Sequence, residues 1–330
     1  MKEKISFLAY CDYANVLTEY SKMINDYSEK YESKVICLMP HPFNYLLKHD
    51  YDLNDKKSLT PAKEWIDSSN YIIFSEEMGS GNYDTLTNLK NNLNFNVDNK
   101  KLSVWHPGSN YRKNYNKFNS NPLNNNLHNI IYAIDLFRLS NKKSNEKTLL
   151  PFMNFNIDSD LYMDNMIDKI NKNNRIFLHC PSNTQRKGSD VIKETIDEIN
   201  REDIIYHMYT GKPHNFIMEQ KKNSLFYIDQ FNKESSFGVA SIEALICGNI
   251  TMCGIENAKD GIERYGSKTN CPIINLGNDK HNLKKTLSEV MDYDKNKLIT
   301  IAENNLKYLL ECYNGKSVIN YIENKILGNE

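Results

Sequence analysis

The 330-residue sequence predicts an α/β protein made of two Rossmann-like, doubly wound parallel-sheet domains facing across a cleft. Three observations predict it. The length exceeds what one ordinary core supports and points to about two domains. Short apolar runs alternate with amphipathic stretches, which is the rhythm of β-α-β units. That rhythm pauses near residue 155 and restarts near residue 175.

In the first half, residues 5–10, 34–38, 70–74 and 101–105 read as strands, and 14–27 and 85–93 as helices. A polar, Asn-rich run at 113–126 with Pro122 reads as a loop. Residues 149–153 read as a short extended piece and 154–159 as the linker. In the second half, strands are expected at 175–179, 204–209, 225–228, 250–253 and 273–275. Helices are expected at 189–199, 214–222, 239–246, 280–291, 295–311 and 316–327. The domain boundaries that follow are 1–156, 157–314 and a closing helical segment at 315–330.

Composition excludes several classes. A hydrophobic share of 40% and a charged share of 25% are globular values, and a net charge of -1 demands no polyanionic partner. The seven cysteines are widely spaced with no C-x-x-C, which argues against a zinc site or a disulfide framework and fits reduced thiols in a cytosol. The apolar run at the start is too short for a signal peptide, and no stretch is long enough to span a membrane. A cytoplasmic protein is expected.

The strongest chemical signal is Phe237-Gly-Val-Ala-Ser-Ile-Glu-Ala-Leu-Ile-Cys-Gly248, a loop that becomes a helix. The absent side chain at Gly238 lets the N–H groups of Val239 and Ala240 approach an anion, and the positive helix end favours a diphosphate. Glu243, one turn in, suits two ribose hydroxyls better than a phosphate. An ordinary helix start with a surface glutamate fits the same letters. A second signal is His179-Cys-Pro-Ser-Asn-Thr-Gln-Arg-Lys-Gly188, where Lys187 at a strand-to-helix turn can reach a pyrophosphate. The following Ser189-Asp190 fits a helix cap equally well. Tyr227-Ile-Asp-Gln230 ends a strand, and Asp229 reads as an architectural hydrogen-bonder. In the first half, Trp105-His-Pro-Gly-Ser-Asn-Tyr-Arg112 and Cys11-Asp-Tyr-Ala-Asn15 follow strands. Asp12 by itself also suits a helix cap.

These segments resemble retaining GT-B glycosyltransferases, in the large family that includes sucrose synthases and lipid or polysaccharide mannosyl- and glucosyltransferases (glycosyltransferase family 4-like). The resemblance is specific over roughly 175–255 and thinner elsewhere. The family motif is Glu, seven residues, Glu, with Phe-Gly between; here Glu243 is the second Glu, and the first falls on Ser235, with Glu234 one residue away. The resemblance implies a nucleoside-diphosphate-sugar donor held in the second domain, with Arg186, Thr210, Gly211, Ser235, Phe237, Gly238, Val239 and Ala240 around it. It implies catalytic roles for Lys187, Glu243 and His106, the last beside the transferred sugar. It places the acceptor in the first domain near Asp12, Asn15 and Arg112, and sends the last helix back across that domain.

No cofactor or metal is expected, since Asp158-Ser-Asp160 reads better as a helix cap than as a metal motif. The acceptor stays open between a glycan, a lipid and a modified nucleic-acid base. Lys100, Lys101, Arg112, Lys113 and Lys117, interleaved with Trp105, Tyr111 and Tyr115, form a basic-aromatic stretch that fits either a nucleic acid or a solvated loop. Two rival readings are a nucleotide-sugar 2-epimerase and a non-catalytic nucleotide-sugar-binding protein.

Overall fold

A computed structural model describes residues 1–12, 15–39, 48–76, 84–151, 157–172 and 175–328. The chain divides into two compact units, Met1–Asn154 with Gly315–Glu330, and Phe155–Asn314. The expected linker at 154–159 lies partly outside the described residues.

The strands of unit 1 are β1 (Glu3–Ala9), β2 (Tyr31–Cys37), β3 (Tyr51–Asp52), β4 (Tyr71–Ser75), β5 (Lys101–His106), β6 (Asn129–Ala133) and β7 (Glu146–Leu149). They form one sheet in the order β3-β2-β1-β4-β5-β6-β7. Every neighbouring pair is parallel. The apolar run in β1, interrupted only by buried Ser6, follows, because a parallel sheet is covered on both faces: Ile5, Leu8 and Ala9 are all fully buried. Its helices are α1 (Val16–Tyr27), α2 (Lys56–Ser68), α3 (Thr85–Leu93) and α4 (Ser109–Asn119).

Two of these helices differ from the sequence reading. α2 buries only Ala62 and Ile66 and carries Pro61 inside, so its apolar periodicity is faint; Asp55 starts it by accepting from the Lys57 N–H. α4 occupies part of the expected Asn-rich loop. Tyr111 and Phe118, seven residues apart and therefore on one helix face, anchor it in the core at 0% and 1% exposure.

Unit 2 holds β8 (Ile176–His179), β9 (Ile205–Met208), β10 (Phe226–Ile228), β11 (Ile250–Cys253) and β12 (Ile274–Asn275). The sheet order is β12-β11-β10-β8-β9, again parallel throughout. Its helices are α5 (Ser159–Asn171), α6 (Thr184–Lys187), α7 (Ser189–Ile199), α8 (His214–Asn223), α9 (Val239–Ile246), α10 (Lys259–Tyr265), α11 (Lys280–Met291) and α12 (Lys295–Cys312). The first strand of this unit, β8, lies between the second, β9, and the third, β10. The winding therefore reverses between β8 and β10, and doubly wound sheets bind ligands at the carboxyl ends of the strands at such a reversal.

The last segment, α13 (Gly315–Tyr321) with a π-helical turn at Ile322–Leu327, returns to unit 1. Tyr321 donates to the Thr148 carbonyl at 2.8 Å, Ser28 to Glu323 Oε1 at 2.6 Å, and Asn129 to the Ile326 carbonyl at 2.7 Å. Gly315 lies against the Tyr27 ring, where an added Cβ would sit 2.5 Å from a ring carbon. Alanine at a helix start would otherwise help by its propensity. The collision outweighs that gain, so Gly315→Ala is expected to lower stability by about 1–3 kcal/mol, the usual range for overpacking. Urea denaturation checks this; an unchanged or raised midpoint would contradict the packing.

Candidate functional site

The reversal in unit 2 is built from the ends of β8 and β10. His179 closes β8 and is fully buried. Its Nδ1 lies 2.8 Å from the Ile228 carbonyl, which can only accept, so Nδ1 carries the proton and Nε2 accepts from Ser189 Oγ at 2.8 Å. Burial pushes this imidazole down to about 4, so the ring is neutral and serves as a fixed strut between β8, β10 and α7. Asn183 caps α6 by accepting from the Arg186 N–H. Gly188 then turns the chain at φ 70, and a Cβ there would fall 1.8 Å from the Phe231 carbonyl oxygen. Only glycine fits this close approach, which is tied by the Phe231 N–H donating to the Lys187 carbonyl at 2.9 Å.

This turn aims Lys187 at Asp229, just past β10. Lys187 Nζ meets Asp229 Oδ1 at 2.6 Å, and Ser241 Oγ donates to Oδ2 at 2.6 Å. Burial pushes the Asp229 carboxyl up, but the Lys187 charge and the two hydrogen bonds outweigh it and hold it below the usual carboxylate range. Asp229 therefore joins the Lys187 turn to the first turn of α9.

α9 begins at Gly238 with extended φ -130 and no side-chain cap. No atom lies within 4 Å of where a Cβ on Gly238 would be. Neither backbone strain nor packing thus requires glycine here, in contrast to Gly188. The space before the helix is open, and the first N–H groups of any α-helix lack intrahelical partners. Glu243 sits one turn in, 7% exposed. Its Oε2 meets Lys221 Nζ at 2.5 Å and its Oε1 meets His214 Nε2 at 2.7 Å. Burial pushes the carboxyl up, and the His214 hydrogen bond with the Lys221 charge outweighs it, leaving Glu243 below its ordinary value. Lys169 of α5 grips the far ends of both helices, donating to the Cys247 carbonyl at 2.6 Å and the Lys221 carbonyl at 3.3 Å.

The structure thus gathers Lys187, Gly238, Val239, Ala240 and Glu243 around the start of α9. Arg186 is exposed beside them, and its backbone carbonyl accepts from Asn232 Nδ2. Phe237 is buried beneath the loop. Ser235 is also buried: its Oγ accepts from the Asn232 N–H at 2.6 Å, and its Cβ would lie 2.8 Å from a Cβ on Gly254. Thr210 and Gly211 form an exposed loop after β9, with Gly211 at φ 64.

The structure places the expected residues of unit 1 as follows. His106 is buried among aromatic rings. It is 0% exposed, with its ring centroid 4.5, 4.0 and 5.5 Å from those of Tyr111, Phe118 and Tyr132. Among the described residues neither ring nitrogen has a hydrogen-bond partner, and burial pushes the imidazole down to about 3. Arg112 is committed to Asp135 at 2.5 Å. Asp12, 2% exposed, starts α1: it accepts from the Leu17 N–H at 2.9 Å, the Thr18 N–H at 2.8 Å and Thr18 Oγ1 at 2.6 Å. Asn15 is 8% exposed at φ 60, with its side chain making no cap bond.

Lys221 and His214 escaped the sequence reading. Their signal was present, since both lie on α8 seven residues apart and hence on one face. Glu76 also escaped. It follows β4 at φ 50, 7% exposed, and Asn110 Nδ2 donates to its Oε2 at 3.1 Å. Burial pushes this carboxyl above its ordinary value. It lies where the winding of unit 1 reverses, between β1 and β4.

His106 makes a pH prediction. Its folded pKa is depressed, so its contribution to stability is present above the unfolded value near 6.5 and is lost as pH falls toward about 3, because the unfolded chain takes the proton first. His106→Phe is expected to flatten the acid arm of the stability profile and to raise stability at pH 7 by about 1–3 kcal/mol, by removing unpaired polar atoms. Unfolding curves at pH 7, 6 and 5 would contradict this if both proteins lost stability in parallel.

No family model matches the sequence, and no curated protein matches it. Solved structures match its fold. The HepE protein of Anabaena in complex with UDP aligns over 99% of this chain and 100% of its own, with TM-score 0.62 and 11% identity. A glycosyltransferase from Rickettsia africae aligns over 100% of both chains, with TM-score 0.61 and 12% identity. An alpha-glucosyltransferase in complex with UDP-glucose and DNA containing an abasic site aligns over 99% of both, with TM-score 0.59 and 13% identity. These likenesses show the fold, two parallel-sheet α/β units of GT-B type. Among the described residues no helix is long and apolar enough to cross a membrane.

Proposed function

We propose that this chain is a glycosyltransferase that takes a sugar from a UDP-sugar donor and keeps its configuration. The single observation that carries the reading is the start of α9. It is an uncapped helix end at the sheet reversal, preceded by a glycine that the protein itself does not need and followed by a carboxylate one turn in. A nucleoside diphosphate accounts for all three features. Its phosphates take the free N–H groups of Val239 and Ala240, Gly238 admits them to contact, and Glu243 accepts from the ribose hydroxyls. The UDP and UDP-glucose of the fold relatives motivate the choice of nucleotide.

In this reading Lys187 stabilises charge on the leaving diphosphate, with Arg186 at the edge. Asp229 engages one of the three N–H donors of Lys187 and leaves the others for phosphate. The transition state has oxocarbenium character, and the departing phosphate guides attack from its own face. Helix end and cations meet the diphosphate charge, so a metal ion is not required. Ser235 supplies no carboxylate to the sugar, and the donor sugar is selected by other groups. Unit 1 takes the acceptor, and Glu76 with Asn110, at the reversal of its own sheet, is the pair assigned to an acceptor hydroxyl. The acceptor class is a glycan, a lipid or a nucleic-acid base.

Gly238→Ala tests this directly. At φ -130 alanine is unstrained and meets nothing, so the variant is expected to be as stable as wild type or slightly more so. Its methyl group blocks the diphosphate, so UDP affinity by calorimetry should fall at least about tenfold, roughly 1.4 kcal/mol. Glu243→Ala and Lys187→Ala should reduce UDP release from UDP-glucose. Unchanged UDP affinity in Gly238→Ala, or a wild type that does not bind UDP, sinks the proposal. Formation of a 2-epimer from UDP-N-acetylglucosamine would replace transfer by epimerisation.

A further inference from the structure

The two oxygens of Glu243 have unlike partners. Oε2 meets Lys221, whose side chain is 0% exposed, and Oε1 meets His214, whose side chain is 66% exposed. Lys221 has no freedom to leave. Its Nζ also donates to the Ala240 carbonyl at 3.0 Å and lies 4.8 Å from the Tyr227 ring centroid. Its backbone carbonyl accepts from Lys169 Nζ at 3.3 Å and Asn249 Nδ2 at 2.8 Å. His214 is different. It is the first residue of α8, follows Pro213, and is bound through one hydrogen bond with solvent around it. Its ring can swing out without opening the core.

Resting on the reading of α9 as the diphosphate site, we propose that Lys221 is a positioning residue for ribose recognition and that His214 is a placeholder. Lys221 pins one oxygen of Glu243 and donates to the Ala240 carbonyl, so the carboxylate is held beside the first α9 turn by one buried ammonium. The other oxygen is kept hydrogen-bonded by His214 until a ribose cis-diol takes its place. A carboxylate fixed on one side and exchangeable on the other is held ready for hydroxyl groups, with His214 keeping its second oxygen hydrogen-bonded while no ribose is there.

The test compares three probes by calorimetry: UDP, 2′,3′-dideoxy-UDP and inorganic pyrophosphate. Wild type is expected to prefer UDP over the dideoxy analogue by at least about tenfold, the effect of losing hydrogen bonds to a charged group. Lys221→Gln should shrink that preference to within about threefold while pyrophosphate affinity stays within about twofold. His214→Ala should tighten UDP about two- to fivefold and leave the dideoxy analogue unchanged, so the preference rises by the same factor. A Lys221→Gln protein that keeps the preference overturns the proposal. So does one that loses pyrophosphate and UDP in proportion, which marks a merely structural role. The His214→Ala arm leaves the buried pair intact and decides independently: lost discrimination or weakened UDP there overturns the placeholder role even if Lys221→Gln does not fold. A wild type that binds neither UDP nor pyrophosphate instead removes the donor-site reading.

Discussion

The start of a buried helix must find partners for its first N–H groups, and the way this chain meets that constraint at α9 organises unit 2. At four other helices it uses an aspartate at the cap itself. Asp55, Asp158, Asp279 and Asp294 each cap their helix by accepting from backbone N–H groups. Asp12 serves α1 in the same way from further upstream. α9 receives a glycine with open space in front of it. In the proposed function the positive helix end takes an anionic ligand, which satisfies both the N–H groups and the dipole.

Two lysine–carboxylate pairs keep that opening rigid. Asp229 joins the Lys187 turn to Ser241, while Lys221 joins Glu243 to the Ala240 carbonyl. Burying such pairs contributes little net stability, but removing one partner costs about 3–5 kcal/mol because a charge is stranded. Each pair therefore fixes geometry more than it adds stability. The far end of α9 is equally constrained. Gly248 at φ 75 leaves no room for a Cβ beside Met166, and Lys169 holds the Cys247 carbonyl. A helix fixed at both ends holds its open start in place without looseness.

Much of the fold is legible because it is written locally. Helices 85–93, 189–199 and 280–291 coincide with α3, α7 and α11, where apolar spacing and polar flanks agree. Helix α4 was hidden because only Tyr111 and Phe118 mark its inner face within a polar, Asn-rich run. Helix α2 was hidden by Pro61 and a two-residue apolar face. The same division runs through the site. Gly238 and Glu243 stand five residues apart, and Lys187-Gly188 is a single turn, so their pattern shows in one dimension. The Lys221–Glu243 pair joins two helices 22 residues apart and exists only after folding. His106 illustrates burial that the sequence hides. A histidine after a strand looks available, yet aromatic rings from α4 and β6 enclose it, and burial of this kind leaves no mark in the letters around it.

A crystal structure of the chain grown with UDP tests the account most directly. The account places the diphosphate oxygens about 3 Å from the N–H groups of Val239 and Ala240, the ribose on Glu243, and the His214 ring turned away from that carboxylate. UDP found at another edge of either sheet, or a start of α9 filled by the chain's own side chains, would contradict it.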